Sequence, residues 1–454
     1  MRSNDETPLD DVSDDTDLLL TLLKRSDRVF IKKLSNNDRD WARFENKHQG
    51  GAYIPQEQRD GGFFPPLTPK ARPEPAAAEI REAFFPIVWP QIDEEQKTAR
   101  LVHYTSKGQE THLTGLPKIL FQDLLPASYL VVGRVATDHG ATYHAVTLSS
   151  GSEEAIFLID LFEIDLDFVV GEFDPASMIE AERSRTLSFA EQVIAAWLSG
   201  EIQTFAVANA TMPSTLQLAA QARASFLKGR EIDSLNPFKL EKPGDALREI
   251  SRSIEWELFR DYQRRERAVA LVRIIMGDRP ATWSCSDIIR RLIDEFHQID
   301  GLMLSASQQR KSRAGTSYEH HIESMLRDGA VPYEKQVVIE ARKRPDFVLP
   351  SWEFLNRIPP EFPNGLILSA KTTLRERWKQ VEREKGGREL FLTTVDENIA
   401  SNAIEDMASL GVQLVVPESL KDSKETEYKG HKNVMSFRDF CDEIVAPRIG
   451  KWVI

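Results

Sequence analysis

Cysteine is scarce in this chain: Cys285 and Cys441 are the only two in 454 residues. Two thiols so far apart make neither a disulfide framework nor a zinc knuckle, and they fit a reducing compartment. Long apolar runs are missing too. Nothing approaches the ~18 consecutive apolar residues of a membrane helix. The first twenty residues hold no aromatic side chain, one proline, and seven acids against one arginine, the reverse of a signal peptide. A cytoplasmic location is therefore expected, and residues 1–25 read as a disordered acidic tail. Positive charge is short overall, with a formal net charge of −13. That bulk value weighs against a nucleic-acid partner, because such surfaces are basic.

The distribution of charge matters more than its sum. Residues 1–20 carry six of the excess negative charges, whereas residues 370–390 hold seven Lys or Arg against four Glu. Gln308-Gln309-Arg310-Lys311-Ser312-Arg313 is basic with no acid. An acidic protein can thus carry a local basic groove.

Apolar runs at Arg28–Leu34, Leu101–Tyr104, Tyr129–Val135, Tyr143–Leu148 and Ala155–Phe162 are short and separated by turn residues. This rhythm predicts a small, mostly β barrel or sandwich over 26–172. Ser35-Asn36-Asn37-Asp38 reads as a polar turn. Residues 55–90 contain eight prolines and read as a long, partly extended loop, since strands tolerate proline mainly at edges. Helical composition follows over 178–198 and 214–227, and 231–244 reads as a linker containing Asn236-Pro237 and Lys242-Pro243-Gly244. Residues 173–244 thus form a helical connector. Residues 245–278 suit a long charged helix and 286–296 a further one. Thr316 or Ser317 is placed to cap the next helix, with Glu319 in its first turn. His320 and His321 are adjacent and point in different directions on a helix, poor spacing for a metal pair. Strands and helices alternate to the end of the chain, so 245–454 reads as an α/β domain on a mixed sheet. The chain is therefore expected to be an α+β multidomain protein.

The chemistry concentrates in 343–384. Asp346 follows Pro345 at the head of an apolar strand, Phe347-Val348-Leu349, and Lys371 ends a second, Leu366–Ala370. Paired side by side, an acid and a lysine can flank a metal ion and a scissile phosphate. The usual second acid of this P-D…K arrangement stands two residues before the lysine, where this chain has Ser369. Glu384 lies thirteen residues after Lys371 and shares a helical face with Arg377 and Val381, so it can supply the missing carboxylate. Arg375-Glu376-Arg377 opens that predicted helix. Arginine donates a bidentate pair to guanine and glutamate accepts from cytosine, so the tripeptide can read adjacent G·C pairs.

Ser369-Ala370-Lys371-Thr372-Thr373, Arg377-Trp378-x-Gln380, the relocated Glu384, Arg310–Gly315 and the run Leu410–Leu420 resemble the catalytic domain of EcoRII-type (type IIE) restriction endonucleases. The resemblance implies a PD-(D/E)XK-like domain in which Glu319, Asp346, Lys371 and Glu384 form the catalytic centre. Asp346 and Glu384 would hold Mg²⁺, Lys371 would position or activate water, and Glu319 would support the metal shell. It also implies that Arg375, Glu376 and Arg377 read a CCNGG- or CCWGG-like palindrome as part of a homodimer, with a cognate cytosine methyltransferase as genetic partner. Ile31-Lys32-Lys33-Leu34-Ser35-x-Asn37-Asp38 and His48-Gln49-x-Gly51-x-Tyr53-Ile54-Pro55 resemble the N-terminal effector pseudobarrel of the same enzymes, which clamps duplex DNA between two loop arms. Effector contacts are then expected from Lys33, Asn37, Asp38 and His48 in one arm and Lys107 in the other. That second arm is strongly basic in the family; here Lys107 and Lys118 are the only lysines near it, with Arg100 just before. Two alternatives stay open at this point: a superfamily nuclease with a structure-specific repair role, and a DNA-binding regulator on an inactive nuclease fold.

Overall fold

A computed structural model describes residues 14–45, 50–70, 79–108, 110–138, 140–338, 344–357, 364–374 and 388–452. The chain divides into two units, Met1–Arg183 with Lys424–Glu427, and Ser184–Ser423 with Tyr428–Ile454. Secondary structure is mixed, with one sheet in each unit.

The first unit is built on nine strands: β1 (Arg28–Lys33), β2 (Ala52–Tyr53), β3 (Thr68–Pro69), β4 (Ile80–Trp89), β5 (Glu95–Tyr104), β6 (Thr111–Thr114), β7 (Tyr129–Thr137), β8 (Gly140–Leu148) and β9 (Val170–Phe173). Their order is β2-β6-β5-β4-β8-β7-β1-β9, with β3 on β4. All pairings are antiparallel except β4 with β8. Phe30, Phe63, Phe64, Phe85 and Tyr143 stack in one core, and the Tyr143 hydroxyl donates to the Phe63 carbonyl at 2.8 Å.

Four local expectations need correction here. Residues 14–25 are not a disordered tail but a helix, Asp14–Arg25, whose Leu19, Leu22 and Leu23 are buried. Those leucines recur at helical spacing, so one face finds a core despite the acids around it. Asn36–Arg43 is also a helix rather than a turn, and Ser35 and Asp38 form its capping box. The proline-rich stretch contains β4, which carries Pro86 in its interior. The other edge of β4 pairs with β3 at Arg81 and Glu82 and with β8 at Ile87 and Val88, so Pro86 falls between the two paired segments. Last, the apolar run at 155–162 is a helix, Glu153–Phe162. Ser152 caps it, Glu153 and Glu154 fill its first turn, and Ala155, Leu158, Leu161 and Phe162 are its buried face.

The second unit holds six strands: β10 (Glu334–Lys335), β11 (Phe347–Leu349), β12 (Leu366–Ala370), β13 (Leu390–Thr393), β14 (Val412–Val416) and β15 (Val434–Ser436), in that spatial order. The first two pairings are antiparallel and the last three parallel. β11 to β13 are buried along their whole length, as expected for strands covered on both faces. A 33-residue helix, Phe296–Asp328, packs Tyr318, Ile322, Met325 and Leu326 into this core. It runs unbroken through Thr316 and Ser317, so neither is an N-cap; Ser317 is a buried residue of the helix interior. The segment expected as a charged helix over 245–278 is a helix, Pro243–Glu249, a π-helical turn, Ile250–Ile254, and a second helix, Glu255–Met276.

Asp38 shows what holds the first unit's base. Its Oδ2 accepts from the Ser35 amide at 3.0 Å and hydroxyl at 2.7 Å and lies 3.2 Å from Lys32 Nζ; its Oδ1 accepts from the Tyr53 amide at 2.6 Å. Both Lys32 and Asp38 are buried. Asp38→Ala would strand the Lys32 ammonium and remove a cap, so chemical denaturation should record a loss of about 3 kcal/mol.

Candidate active site

β11 and β12 bring the acid and the lysine together. Phe347 pairs with Leu368, so the antiparallel register places Asp346 opposite Ser369. Cross-strand neighbours share a face, and residues two apart on a strand share one as well. Asp346, Ser369 and Lys371 therefore stand on one side of the sheet. The Asp346 Oδ2 accepts from the Ala370 amide at 2.8 Å and from Lys371 Nζ at 2.7 Å. The Lys371 main chain is fixed in turn, its N–H donating to the Thr393 carbonyl at 3.0 Å. Ser369, two residues before the lysine, is fully buried.

Glu319 joins this pair from the long helix. It is half-buried, and burial followed by the neighbouring Asp346 charge pushes its carboxyl above the usual carboxylate range, against the pull of Lys371 and Lys335. Lys335 is itself bonded to Glu323, one turn further along the helix, at 2.8 Å. Glu384, Arg375, Glu376 and Arg377 lie outside the described residues, so their expected roles have no geometry here. Among the described residues no group of three or more His, Cys, Asp and Glu stands ready for a metal. The donor chemistry of the two acids still suits a hard cation. Carboxylate oxygens are the ligands Mg²⁺ takes, the two hydrogen bonds to the Asp346 carboxylate among the described residues fall on Oδ2, and a nearby cation would offset the like charges of Asp346 and Glu319.

His320 and His321 have structural surroundings. His321 is fully buried, its Nε2 lies 2.6 Å from the Glu255 carboxylate, and its Nδ1 receives the Arg223 guanidinium at 3.3 Å. The network clamps the long helix two residues beyond Glu319. Sequence spacing gave no hint of it, because Arg223 and Glu255 are distant in the chain.

Sequence reading also passed over Asp396. This buried acid follows β13 and accepts the Leu374 amide at 2.8 Å and the Asn398 amide at 3.0 Å. The pattern Asp396-Glu397-Asn398 has a legible signal, an aspartate that bonds its own backbone two residues on.

In the first unit the expected effector residues fall in different surroundings. Asn37 is exposed, whereas Lys33 and Asp38 are buried. Lys107 lies in a 3₁₀ turn, Thr105–Lys107, and His48 lies outside the described residues. Arg39, Arg43, Arg59, Arg81 and Arg100 each lie against a carboxylate, of Glu427, Glu427, Asp60, Glu79 and Glu82 respectively. Much of this unit's positive charge is therefore spent internally.

His321→Ala would leave the buried Glu255 carboxylate and the half-buried Arg223 guanidinium without their shared partner. Chemical denaturation should show a cost of about 3 kcal/mol, the scale for breaking a buried charged network.

Comparison with known proteins gives a consistent result. Residues 283–441 match the family described as EcoRII C terminal. The chain is 36% identical over 138 residues to the type II restriction enzyme EcoRII of Escherichia coli, covering 30% of this chain and 34% of that protein. It is 29% identical over 196 residues to the type II restriction enzyme SsoII of Shigella sonnei, covering 40% of this chain and 62% of that protein. The matched region thus spans about a third of one relative and less than two thirds of the other. Among solved structures, metal-depleted Ecl18kI in complex with uncleaved, modified DNA is similar over 56% of this chain and 84% of that one, with a TM-score of 0.46 and 24% identity.

Proposed function

Residues 283–441 carry a domain of the EcoRII C-terminal family, and from that premise we propose that the protein is a type II restriction endonuclease of the EcoRII kind. It makes Mg²⁺-dependent double-strand cuts at a short CCNGG- or CCWGG-like palindrome. The observation that carries the reading is the Asp346 carboxylate held between the Ala370 amide and Lys371 Nζ on neighbouring strands. An acid and a lysine paired in this way can flank a metal ion and a scissile phosphate, here in a buried and therefore rigid sheet.

Each residue then has a task. Asp346 and Glu384 hold the metal, and Glu319 supports the metal shell. Mg²⁺, when bound, supplies charge neutralisation at the phosphate and lowers the pKa of a coordinated water. The Lys371 ammonium orients the attacking water and offers its positive charge to the phosphate oxygens as negative charge develops. Because Lys371 is anchored through both its main chain and its side chain, little ordering remains to be done when the substrate arrives. Arg375, Glu376 and Arg377 read the G·C pairs. Two copies related by a two-fold axis read the two halves of the palindrome. The first unit binds a second copy of the DNA and regulates the nuclease; with most of its arginines already paired, its hold is electrostatically modest. The enzyme works in the cytoplasm beside a cytosine methyltransferase that protects the host's own sites.

Lys371→Ala tests the reading. Cleavage should fall by more than about 10²-fold, the scale of removing one preorganised electrostatic group, while binding to the same duplex in a gel-shift assay stays within a few-fold of wild type. Full cleavage by the variant contradicts the assignment. Chelation with EDTA should abolish cutting by the wild type, and added Mg²⁺ should restore it.

A further inference from the structure

Three residues, Thr372, Thr373 and Leu374, separate Lys371 from Arg375. Their path is set at both ends. Thr393 holds the Lys371 amide through its carbonyl at 3.0 Å. Asp396, three residues after Thr393, holds the Leu374 amide through its Oδ2 at 2.8 Å. Leu374 is fully buried, so its side chain locks the same point into the core.

Asp396 is itself over-determined. Its Oδ1 accepts the Asn398 amide at 3.0 Å, its own amide donates to Thr394 Oγ1 at 3.1 Å, and its carbonyl receives the Tyr428 hydroxyl. The local turn needs only one side-chain oxygen, which an asparagine would supply equally well. Only a carboxylate presents two acceptors and no donor, so only an aspartate serves the Asn398 and Leu374 amides together. Burying a carboxylate is costly. The second oxygen, aimed across at the segment that follows the lysine, is what that cost secures.

We propose that Asp396 is a positioning residue for the nuclease: it fixes the chain between the lysine that addresses the phosphate and the tripeptide that reads the bases. The inference rests on the function proposed above. Asp396 touches no substrate. It fixes Leu374, the residue that immediately precedes the reading tripeptide, so its loss should damage discrimination as well as rate.

The test uses the full chain. kcat and KM are measured with Mg²⁺ on the wild-type recognition duplex and on duplexes with one base pair changed, for wild type, Asp396→Asn, Asp396→Glu and Tyr428→Phe. Asp396→Asn keeps the local turn but cannot accept from both amides; Asp396→Glu keeps both acceptors but moves them by one methylene. Each should lower kcat/KM on the recognition duplex by about tenfold or more, the scale of losing one buried hydrogen bond to a charged acceptor, and shrink the recognition-to-variant ratio by a similar factor. Tyr428→Phe loosens the same turn from its other side and should lower the melting temperature while leaving that ratio unchanged. If the Asp396 variants melt lower yet keep the wild-type ratio, Asp396 is structural only and the inference is overturned. If the wild type cuts no duplex with Mg²⁺, the functional reading falls and takes the inference with it.

Discussion

The second unit is organised around one charge contact, the Asp346 carboxylate between the Ala370 amide and the Lys371 ammonium. Neither partner could hold the other alone. A carboxylate this buried needs donors, and a lysine on a four-carbon stem needs something to stop it roaming. The sheet solves both problems. Antiparallel pairing of β11 with β12 puts acid and lysine on one face, and parallel pairing of β12 with β13 pins the lysine's own amide to Thr393. The long helix Phe296–Asp328 then brings Glu319 to the same place, with Tyr318 seated against Thr393 at 2.8 Å and His321 clamped by Glu255 and Arg223. The site is thus assembled from a strand start, a strand end and a helix middle, all fixed by buried packing rather than by loops.

That arrangement explains what could and could not be read from the sequence. Asp346 and Lys371 were legible because each sits at the end of a short apolar run, and a pair of such runs has few ways to align once both are buried. The element types of the second unit were legible for the same reason. What escaped were contacts that close over long stretches of chain. Nothing in the neighbourhood of His321 points to Arg223 or Glu255, and Asp396 declares its turn but not its reach to Leu374. In the first unit, local composition misled in a different way. Acids around Leu19, Leu22 and Leu23 masked an amphipathic face, and prolines around β4 masked a ten-residue strand. Composition averages over a window, whereas burial is decided residue by residue.

The two units also differ in how they spend charge. In the second, the Asp346 carboxylate and the Lys371 ammonium are paired on one sheet face, with Glu319 close enough to feel both charges. In the first, guanidinium groups are matched to carboxylates, and the Lys32–Asp38 pair is sealed inside. Such pairs specify geometry more than they add stability or reach. Asn37, by contrast, is exposed on the helix that carries the buried Asp38. The net charge of −13 is then compatible with DNA as a partner, because the field that matters lies at the site and not over the whole surface.

Whether the enzyme cuts DNA at one short sequence is read by incubating the full chain with a random-sequence duplex library and Mg²⁺, then sequencing the cut ends. The ends should collapse onto a single two-fold-symmetric site with two C·G pairs, one G·C-or-A·T centre and two G·C pairs. Ends scattered over unrelated sequences, cuts that follow branched or damaged DNA instead of sequence, or no Mg²⁺-dependent ends at all would contradict the proposed function.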